Sequence, residues 1–293
     1  MTLTILDGGI SRELQKLGAP FRQPEWSALA LIETPDLVGA AHDLFAIAGA
    51  NVITTNSYAI VPFHIGKERF ERDGFRLADR CGELARGVAD KRGVKVAASL
   101  PPVLGSYRPD LFDPDAARAI LYVLLAGLSP YADIWLAETL STLAEGRLIA
   151  EMLAEDARPL WLSFTLDDSV SAPLAALRSG ESVRAAADLA KSAGAKALLF
   201  NCSKPEVMDA AVRSAKHALA GADIAIGVYA NGFGQDDDGV AANKIIRAIR
   251  PDLDPPRYLA WAQAWVESGA TIIGGCCGIG RDHIAALAKA LKP

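Results

Sequence analysis

The chain has 293 residues, of which 51% are hydrophobic, and its formal net charge is −5 at pH 7. Its lysines and arginines are scattered rather than clustered, so the sequence shows no basic stripe and excludes nucleic acid as an expected partner. No apolar run approaches the ~18 residues that span a bilayer, and the N-terminus lacks the basic and apolar regions of a signal peptide. We therefore expect no membrane association and a cytoplasmic location.

Eight short apolar or β-branched runs alternate with helical patterns along the chain. Most are almost continuously apolar, as is typical of parallel strands buried on both faces. Eight alternating units with short connections favour an α/β fold, a closed (β/α)8 TIM barrel, with a single domain over residues 1–293. Residues 235–239 contain three consecutive aspartates and are expected to form a solvated loop. The predicted strands are 4–7, 51–57, 94–100, 133–139, 159–166, 195–202, 224–231 and 270–277.

Proline marks three of the predicted helix starts. Pro35, Pro114 and Pro205 each begin an amphipathic or alanine-rich run, and proline is favoured at the first position of a helix. Thr34 and Asp113 each precede one of these prolines. Because their side chains can accept hydrogen bonds from free backbone N–H groups, both are expected to cap the helix that follows.

Polar residues collect where the predicted strands end. In a barrel of this kind the active site lies at the C-terminal ends of the strands. Three of the four cysteines in the chain fall at these ends. The polar strand ends are Asp7-Gly8-Gly9, Thr55-Asn56-Ser57-Tyr58, Glu138-Thr139, Asn201-Cys202-Ser203, Tyr229-Ala230-Asn231-Gly232 and Cys276-Cys277.

The three cysteines at strand ends indicate a metal site. Cys202 ends the sixth predicted strand and Cys276 and Cys277 end the eighth, and these strands are next-but-one neighbours in a closed barrel. Three thiolates suit zinc and leave its fourth position open, as in catalytic sites. A disulfide between the adjacent pair is disfavoured, because bridged Cα atoms prefer ~5.5–6 Å and adjacent ones lie ~3.8 Å apart.

Two other interpretations of these cysteines stay open. Buried cysteine often packs as a small hydrophobic side chain, which is the interpretation we give to Cys81 within its predicted helix. A redox pair of vicinal thiols at Cys276 and Cys277 is the other, although the C-x-x-C spacing usual for redox or structural zinc sites is absent.

Six motifs occur in order along nearly the whole chain: D-G-G at 7–9, W-S-A-L-A-L-I-E-T-P at 26–35, G-A-N-V-I-T-T-N-S-Y at 49–58, E-T-L at 138–140, N-C-S at 201–203 and G-G-C-C-G at 274–278. Together they resemble the homocysteine S-methyltransferase family, whose members are zinc-dependent thiol methyltransferases with a (β/α)8 barrel. The most specific feature is N-C followed some 74 residues later by G-G-C-C.

The resemblance implies that Cys202, Cys276 and Cys277 are catalytic and ligate Zn²⁺. The chemistry agrees, because a free thiol with a pKa of about 8.5 is mostly protonated at pH 7, and zinc coordination deprotonates it. Three thiolate ligands leave the site anionic, so a fourth, substrate sulfur keeps its nucleophilicity. The ligand set therefore favours alkyl transfer to sulfur over the water activation typical of His₃ zinc sites.

The resemblance also implies residues that bind substrate. Asp7 and Glu138 match family residues that hold the amino acid part of homocysteine, and a cationic ammonium group favours carboxylate partners. Gly8 is assigned to the same site. Asn231 matches an asparagine in a loop that can approach zinc when homocysteine is absent. The alternatives are a turn residue for Asp7, a helix cap or salt bridge for Glu138, and a turn residue before Gly232 for Asn231.

Homocysteine and a methyl donor are the substrates implied by the resemblance, and methionine is the product. S-methylmethionine or S-adenosylmethionine is the expected donor, with betaine as the alternative, and a homocysteine module serving a separate corrinoid protein also stays open. Trp26, Tyr58 or Tyr107 are candidates to surround a cationic donor. The sequence does not decide the donor or the oligomeric state.

Two further classes of protein are compatible with the sequence. The chain would be a phosphate-binding lyase or aldolase if 274–280 formed a phosphate loop near the eighth strand. That interpretation needs a Schiff-base lysine or metal-binding carboxylates at strand ends, and lysine is missing from nearly all of them. A non-enzymatic thiol or zinc sensor is the other class.

Overall fold

Eight parallel strands form one sheet, and helices lie between them along the chain. The computed structural model describes residues 3–169, 174–233 and 249–291, so the predicted loop at 235–239 lies outside the described residues. The strands are β1 (Thr4–Ile5), β2 (Val52–Thr54), β3 (Lys95–Leu100), β4 (Ile134–Leu140), β5 (Leu160–Phe164), β6 (Ala197–Asn201), β7 (Ala225–Tyr229) and β8 (Ile272–Ile273).

The sheet closes into a barrel. Its strand order is β1-β8-β7-β6-β5-β4-β3-β2, so each strand from β2 to β7 pairs with the next along the chain and β8 pairs with β1. Between β1 and β2, Leu6 forms a parallel bridge with Val52, and the Asn51 N–H donates to the Ile5 carbonyl oxygen at 2.7 Å. The predicted (β/α)8 barrel is therefore confirmed.

Helices follow the strands and cover the outside of the barrel. Across the three described segments, no helix combines the length and hydrophobicity needed to cross a membrane. The helices are α1 (Ile10–Lys16), α2 (Ser27–Glu33), α3 (Pro35–Ile47), α4 (Pro62–Ile65), α5 (Lys67–Arg92), α6 (Pro114–Leu128), α7 (Leu143–Met152), α8 (Val183–Ser192), α9 (Pro205–Ala218), α10 (Pro255–Ser268) and α11 (Arg281–Leu291).

All three proline-marked helix starts are confirmed, because Pro35, Pro114 and Pro205 are the first residues of α3, α6 and α9. The Asp113 carboxylate caps α6 by accepting a hydrogen bond at 2.8 Å from the backbone N–H three residues later. The predicted cap at Thr34 is wrong. Its hydroxyl donates to a carbonyl oxygen of α2 at 3.2 Å, so it serves the end of one helix rather than the start of the next.

The eight predicted strands are all present, but most are shorter than predicted. The largest difference is at the eighth, where 270–277 was predicted and β8 contains only Ile272–Ile273. Cys276 and Cys277 therefore lie in the loop after the strand. The chain turns back there, because the Cys276 carbonyl oxygen accepts a hydrogen bond from the Ile279 N–H at 3.0 Å.

Two buried apolar clusters hold the fold together. One lies within the barrel and takes side chains from or next to all eight strands, and the other lies between the strands and the helices. Gly227 of β7 lies beside the cluster within the barrel, where it contributes no side chain. A Cβ atom there would lie 2.6 Å from Leu199 Cδ2 of β6 and 3.0 Å from Ile272 Cβ of β8. Side chains of β6 and β8 therefore fill the space in front of Gly227.

We expect Gly227→Ala to lower the free energy of unfolding by about 1–3 kcal/mol, because the added methyl overpacks the barrel interior. Gly87→Ala is the matched control. Gly87 lies within α5, and a Cβ atom there meets nothing within 4 Å, so this change should stabilise the protein by about 0.5–1 kcal/mol. Denaturant unfolding of both variants measures the difference. Equal stabilities would contradict the packing described for the barrel interior.

Candidate active site and metal centre

A pocket of about 780 Å³, including its open mouth, lies at the C-terminal ends of the strands. Backbone strain concentrates around it. Within the described chain, the non-glycine residues with positive φ are Trp26, Tyr107, Thr139 and Cys202, and all four line this pocket. Strained backbone persists only where the surrounding structure enforces it, and it collects at functional sites. The position agrees with the predicted location of the active site.

Three sulfur atoms meet on one side of the pocket. The Sγ atoms of Cys202, Cys276 and Cys277 all lie within 4.8 Å of one another. The Sγ atom of Cys202 is 3.0 Å from that of Cys276 and 4.0 Å from that of Cys277. Two thiolates bound tetrahedrally to one zinc ion at ~2.3 Å would lie ~3.8 Å apart. The observed spacings bracket this value, so small side-chain rotations suffice to seat one ion.

The charge of the sulfur cluster also fits a cation. Hydrogen bonds with the Cys202 and Cys277 sulfurs, followed by burial, hold the pKa of Cys276 well above its ordinary value. Thiolates packed this closely repel one another, so they do not all ionise without a positive charge among them. A divalent metal that prefers soft ligands would supply that charge. The fourth cysteine, Cys81, is fully buried in the core, as predicted.

The N-C-S motif orients Cys202 by anchoring the residues on either side of it. The Asn201 Oδ1 accepts hydrogen bonds from the Ser163 hydroxyl at 2.7 Å and the Thr139 N–H at 2.9 Å. The Ser203 hydroxyl lies 2.9 Å from that of Thr165. Cys202 itself has a φ of +54°. Its two polar neighbours are fixed toward β4 and β5, so the backbone between them is forced to present the Cys202 side chain to the pocket.

The loop that carries the other two cysteines is fixed by the flanking strands. Its N–H groups donate to carbonyl oxygens that follow β7 and β1: that of Cys276 to Ala230 and that of Gly275 to Asp7, both at 3.0 Å. The loop after β1 packs against it without side chains. A Cβ atom at Gly9 would lie 2.4 Å from the Cys276 carbonyl oxygen. The D-G-G motif therefore exists because only glycine permits this approach.

The same loop is not arranged as a phosphate cradle. A phosphate loop needs several free backbone N–H groups directed at the anion. Here the N–H groups of Gly274, Gly275, Cys276 and Ile279 donate to carbonyl oxygens, and that of Gly280 donates to His283 Nδ1 at 3.2 Å. This geometry argues against the lyase interpretation.

Two carboxylates lie in the pocket with the sulfurs. Asp7 accepts hydrogen bonds from the Thr54 N–H at 2.7 Å and the Thr54 hydroxyl at 2.9 Å. Glu138 accepts hydrogen bonds from the Ser99 hydroxyl and, at 3.3 Å, from the Tyr229 hydroxyl. Burial raises the pKa of each carboxyl group to about 7, and the charge of Glu138 adds to the shift at Asp7. Both groups therefore gain from a cationic partner.

The structure brings most of the predicted site residues together. The three cysteines, Asp7, Gly8 and Glu138 all line the pocket, as do the aromatic candidates Trp26, Tyr58 and Tyr107. A Cβ atom at Gly8 would lie 2.3 Å from the Ile279 carbonyl oxygen, so close packing explains this glycine.

Asn231 is the exception among the predicted site residues. It is not among the residues that line the pocket. Its Oδ1 accepts a hydrogen bond from the Phe233 N–H at 3.2 Å, which is the turn that the alternative interpretation describes. Its approach to a metal stays a prediction.

The sequence analysis did not identify the residues that hold the side chains of the site in position. Thr54 and Ser99 hold the two carboxylates, and only Ser99 carried a signal, as a hydroxyl among the apolar residues of 96–100. The Arg178 guanidinium carbon lies 5.0 Å from the centre of the Tyr107 ring. Nothing in the local sequence indicates that contact, because it joins loops about 70 residues apart in the sequence.

Comparison with known proteins agrees with this geometry. A sequence model described as homocysteine S-methyltransferase matches residues 4–291. Homocysteine S-methyltransferase 1 from Brassica oleracea var. italica is 29% identical over 98% of this chain and 93% of its own length. Homocysteine S-methyltransferase 3 from Arabidopsis thaliana is also 29% identical, over 98% of this chain and 89% of its own length.

The solved structures include a similar barrel. The metallated form of the homocysteine methyltransferase MmuM from Escherichia coli superposes with a TM-score of 0.79 and 26% sequence identity, over 99% of this chain and 96% of that one. The family model and this superposition both extend over nearly the whole chain. This chain belongs to the homocysteine S-methyltransferase family.

Proposed function

We propose that this protein transfers a methyl group to the thiol of homocysteine and so produces methionine. The observation that carries the proposal is the cluster of three cysteine sulfurs within 4.8 Å, in one pocket with two buried carboxylates. The first feature suits a soft metal and a sulfur substrate, and the second suits an ammonium group. Homocysteine has both a thiol and an ammonium group, and relatives across the family are named for this reaction.

The proposed cofactor is Zn²⁺, held by Cys202, Cys276 and Cys277. When bound, zinc supplies a positive centre that keeps the homocysteine sulfur deprotonated at neutral pH. The three cysteines carry more negative charge than a divalent ion neutralises, so they keep the substrate sulfur electron-rich. The three cysteines would also hold the metal within the pocket that Asp7 and Glu138 line.

Asp7 and Glu138 are the proposed partners of the homocysteine ammonium group. Both carboxylates are buried and neither forms an ion pair with a side chain of the described residues. Thr54 and Ser99 fix their orientation, so the ammonium enters a prepared site. Pairing with it returns the pKa of each carboxyl group toward its ordinary value, which favours binding of the deprotonated forms.

S-methylmethionine or S-adenosylmethionine is the proposed methyl donor. In either case the substrate sulfur forms a bond to the methyl carbon, and the donor sulfur leaves with the electron pair of the broken bond as a neutral thioether. An anionic pocket attracts such a sulfonium, and the aromatic residues Trp26 and Tyr58 line that pocket. Betaine and a corrinoid protein are the alternatives that the experiment below distinguishes.

Metal analysis tests the sulfur cluster. Protein purified without oxygen should contain one zinc ion per chain, and Cys202→Ala should lose it, because two thiolates hold the ion much less well than three. The matched control is Cys81→Ser, which keeps a hydrogen-bond donor where the Cys81 thiol donates to the Asn56 carbonyl oxygen at 3.1 Å. This control should retain its zinc. A wild-type protein without metal would contradict the assignment.

Methionine formation from homocysteine tests the function itself. The protein should produce methionine when S-methylmethionine or S-adenosylmethionine is the methyl donor. Parallel assays offer betaine or methylcobalamin as the donor, and chromatography measures the methionine in each. Cys277→Ala should lower the rate by more than about 100-fold, since losing a ligand exceeds the ~10–100-fold cost of losing an outer-shell partner. Methionine from betaine alone, or from methylcobalamin alone, would replace the proposed donor. Methionine from none of the four would refute the function.

The two carboxylates predict a pH dependence. The pKa values of Asp7 and Glu138 lie at about 7 in the free protein, and kcat/KM reports ionisations of the free enzyme. Below pH 7, protonation removes the carboxylate charges that bind the ammonium group. The plot of log kcat/KM for homocysteine against pH should therefore be steeper below pH 7 than above it. Glu138→Gln should lower kcat/KM. It should also reduce the slope of log kcat/KM against pH below pH 7 by one unit, because one titrating group is removed. An unchanged slope would exclude Glu138 from this role.

A further inference from the structure

Tyr107 reaches across the mouth of the barrel to the sulfur cluster. It lies in the loop after β3, and its hydroxyl donates a hydrogen bond to the Cys202 Sγ, which follows β6, at 2.9 Å. The two residues are 95 positions apart in the sequence. The backbone of Tyr107 is strained, with a φ of +62°. A bulky residue stays in this conformation only when other contacts enforce it, so its side-chain position is specified by the fold.

The loop that carries Tyr107 is anchored on a second side of the pocket. The Ser106 hydroxyl, one residue earlier, lies 2.7 Å from that of Tyr58 in the loop after β2. Ser106 is buried. The loop is therefore attached to β2 and β6 at successive residues, which fixes the phenol ring above the cysteines.

Arg178 fixes Tyr107 from the other face. Its guanidinium carbon lies 5.0 Å from the centre of the phenol ring, within the range of a cation–π contact. The guanidinium in turn forms an ion pair with Asp168 at 3.0 Å. Asp168 accepts a hydrogen bond at 2.8 Å from the N–H of Lys204, two residues after Cys202. The contacts form a closed circuit, from Cys202 through Tyr107, Arg178 and Asp168 back to the Cys202 loop.

These contacts would reduce the negative charge on one sulfur ligand of the proposed metal centre. A hydrogen bond to a ligand sulfur draws electron density away from it, and such outer-shell contacts orient metal ligands and tune the metal. A cation against the phenol ring polarises its O–H bond and strengthens its donation. Three thiolates and a substrate sulfur place more negative charge in a buried pocket than one divalent ion offsets, so this donation stabilises the loaded site.

We infer that Tyr107, held by Arg178, is a positioning residue of the metal centre that donates a hydrogen bond to the Cys202 thiolate. The inference rests on the proposed function for its metal and adds the residues that tune one ligand. Tyr107 acts through Cys202 and not on the reacting atoms.

Cobalt titration into the metal-free protein tests the inference without turnover. Tyr107→Phe keeps the ring and removes the hydroxyl. It should weaken Co²⁺ binding by about 10-fold or more. The thiolate-to-cobalt charge-transfer absorption should shift to lower energy, because a thiolate without its hydrogen bond holds its electrons less tightly. Arg178→Met should shift the absorption in the same direction by a smaller amount.

Tyr229→Phe is the matched control, because this pocket tyrosine donates to the Glu138 carboxylate rather than to a sulfur. Its charge-transfer absorption should equal that of the wild type. Thermal melting establishes that each variant folds. If Tyr107→Phe does not fold, the absorption shift of Arg178→Met tests the inference by itself. Wild-type affinity and absorption in the folded variants would overturn the inference. A wild type that binds Co²⁺ but forms no methionine would refute the proposed function alone.

Discussion

The convergence of three cysteine sulfurs from two strands that are not neighbours is the constraint on which the rest of the site depends. Cys276 and Cys277 share one turn, so their spacing is local, whereas Cys202 has to be brought to them across β7. The protein meets this requirement by fixing Cys202 in a strained conformation between two anchored polar residues. On the opposite side, Gly9 lets the loop after β1 press against the cysteine turn. The N-C-S and G-G-C-C-G motifs therefore form a single site.

The same pocket concentrates acidic groups, and this bears on which ligands it can hold. Three sulfurs lie beside Asp7 and Glu138, whose pKa values burial raises to about 7. Ionising all of these groups in an empty site is costly, because like charges this close and this far from bulk water repel one another. Each component of the proposed reaction reduces that cost, since a divalent metal, an ammonium group and a sulfonium are all cationic. The polarity of the pocket thus favours these three together over neutral or anionic ligands.

Sequence patterns predicted the order of the elements because burial leaves a direct mark on composition. Strands buried on both faces appear as apolar runs, and proline marks helix starts, so the number and order of the strands and the starts of α3, α6 and α9 were predicted correctly, although most strand ends were not. Contacts between elements leave no such mark. Thr34 has the residue type of a cap but serves the preceding helix. Arg178 approaches Tyr107 only because separate loops meet over the barrel. Asn231 fits a turn as well as a site.

The strands that lead to the sulfurs pack closely together inside the barrel. Leu199 of β6 and Ile272 of β8 approach each other over Gly227 of β7, where a side chain would displace both. Cys202 lies three residues beyond Leu199, and Cys276 lies four beyond Ile272. A closely packed interior transmits displacement because it has few voids to absorb it. A side chain at Gly227 would therefore press on the two strands that precede Cys202 and Cys276, so glycine at this position suits the close approach of the sulfurs.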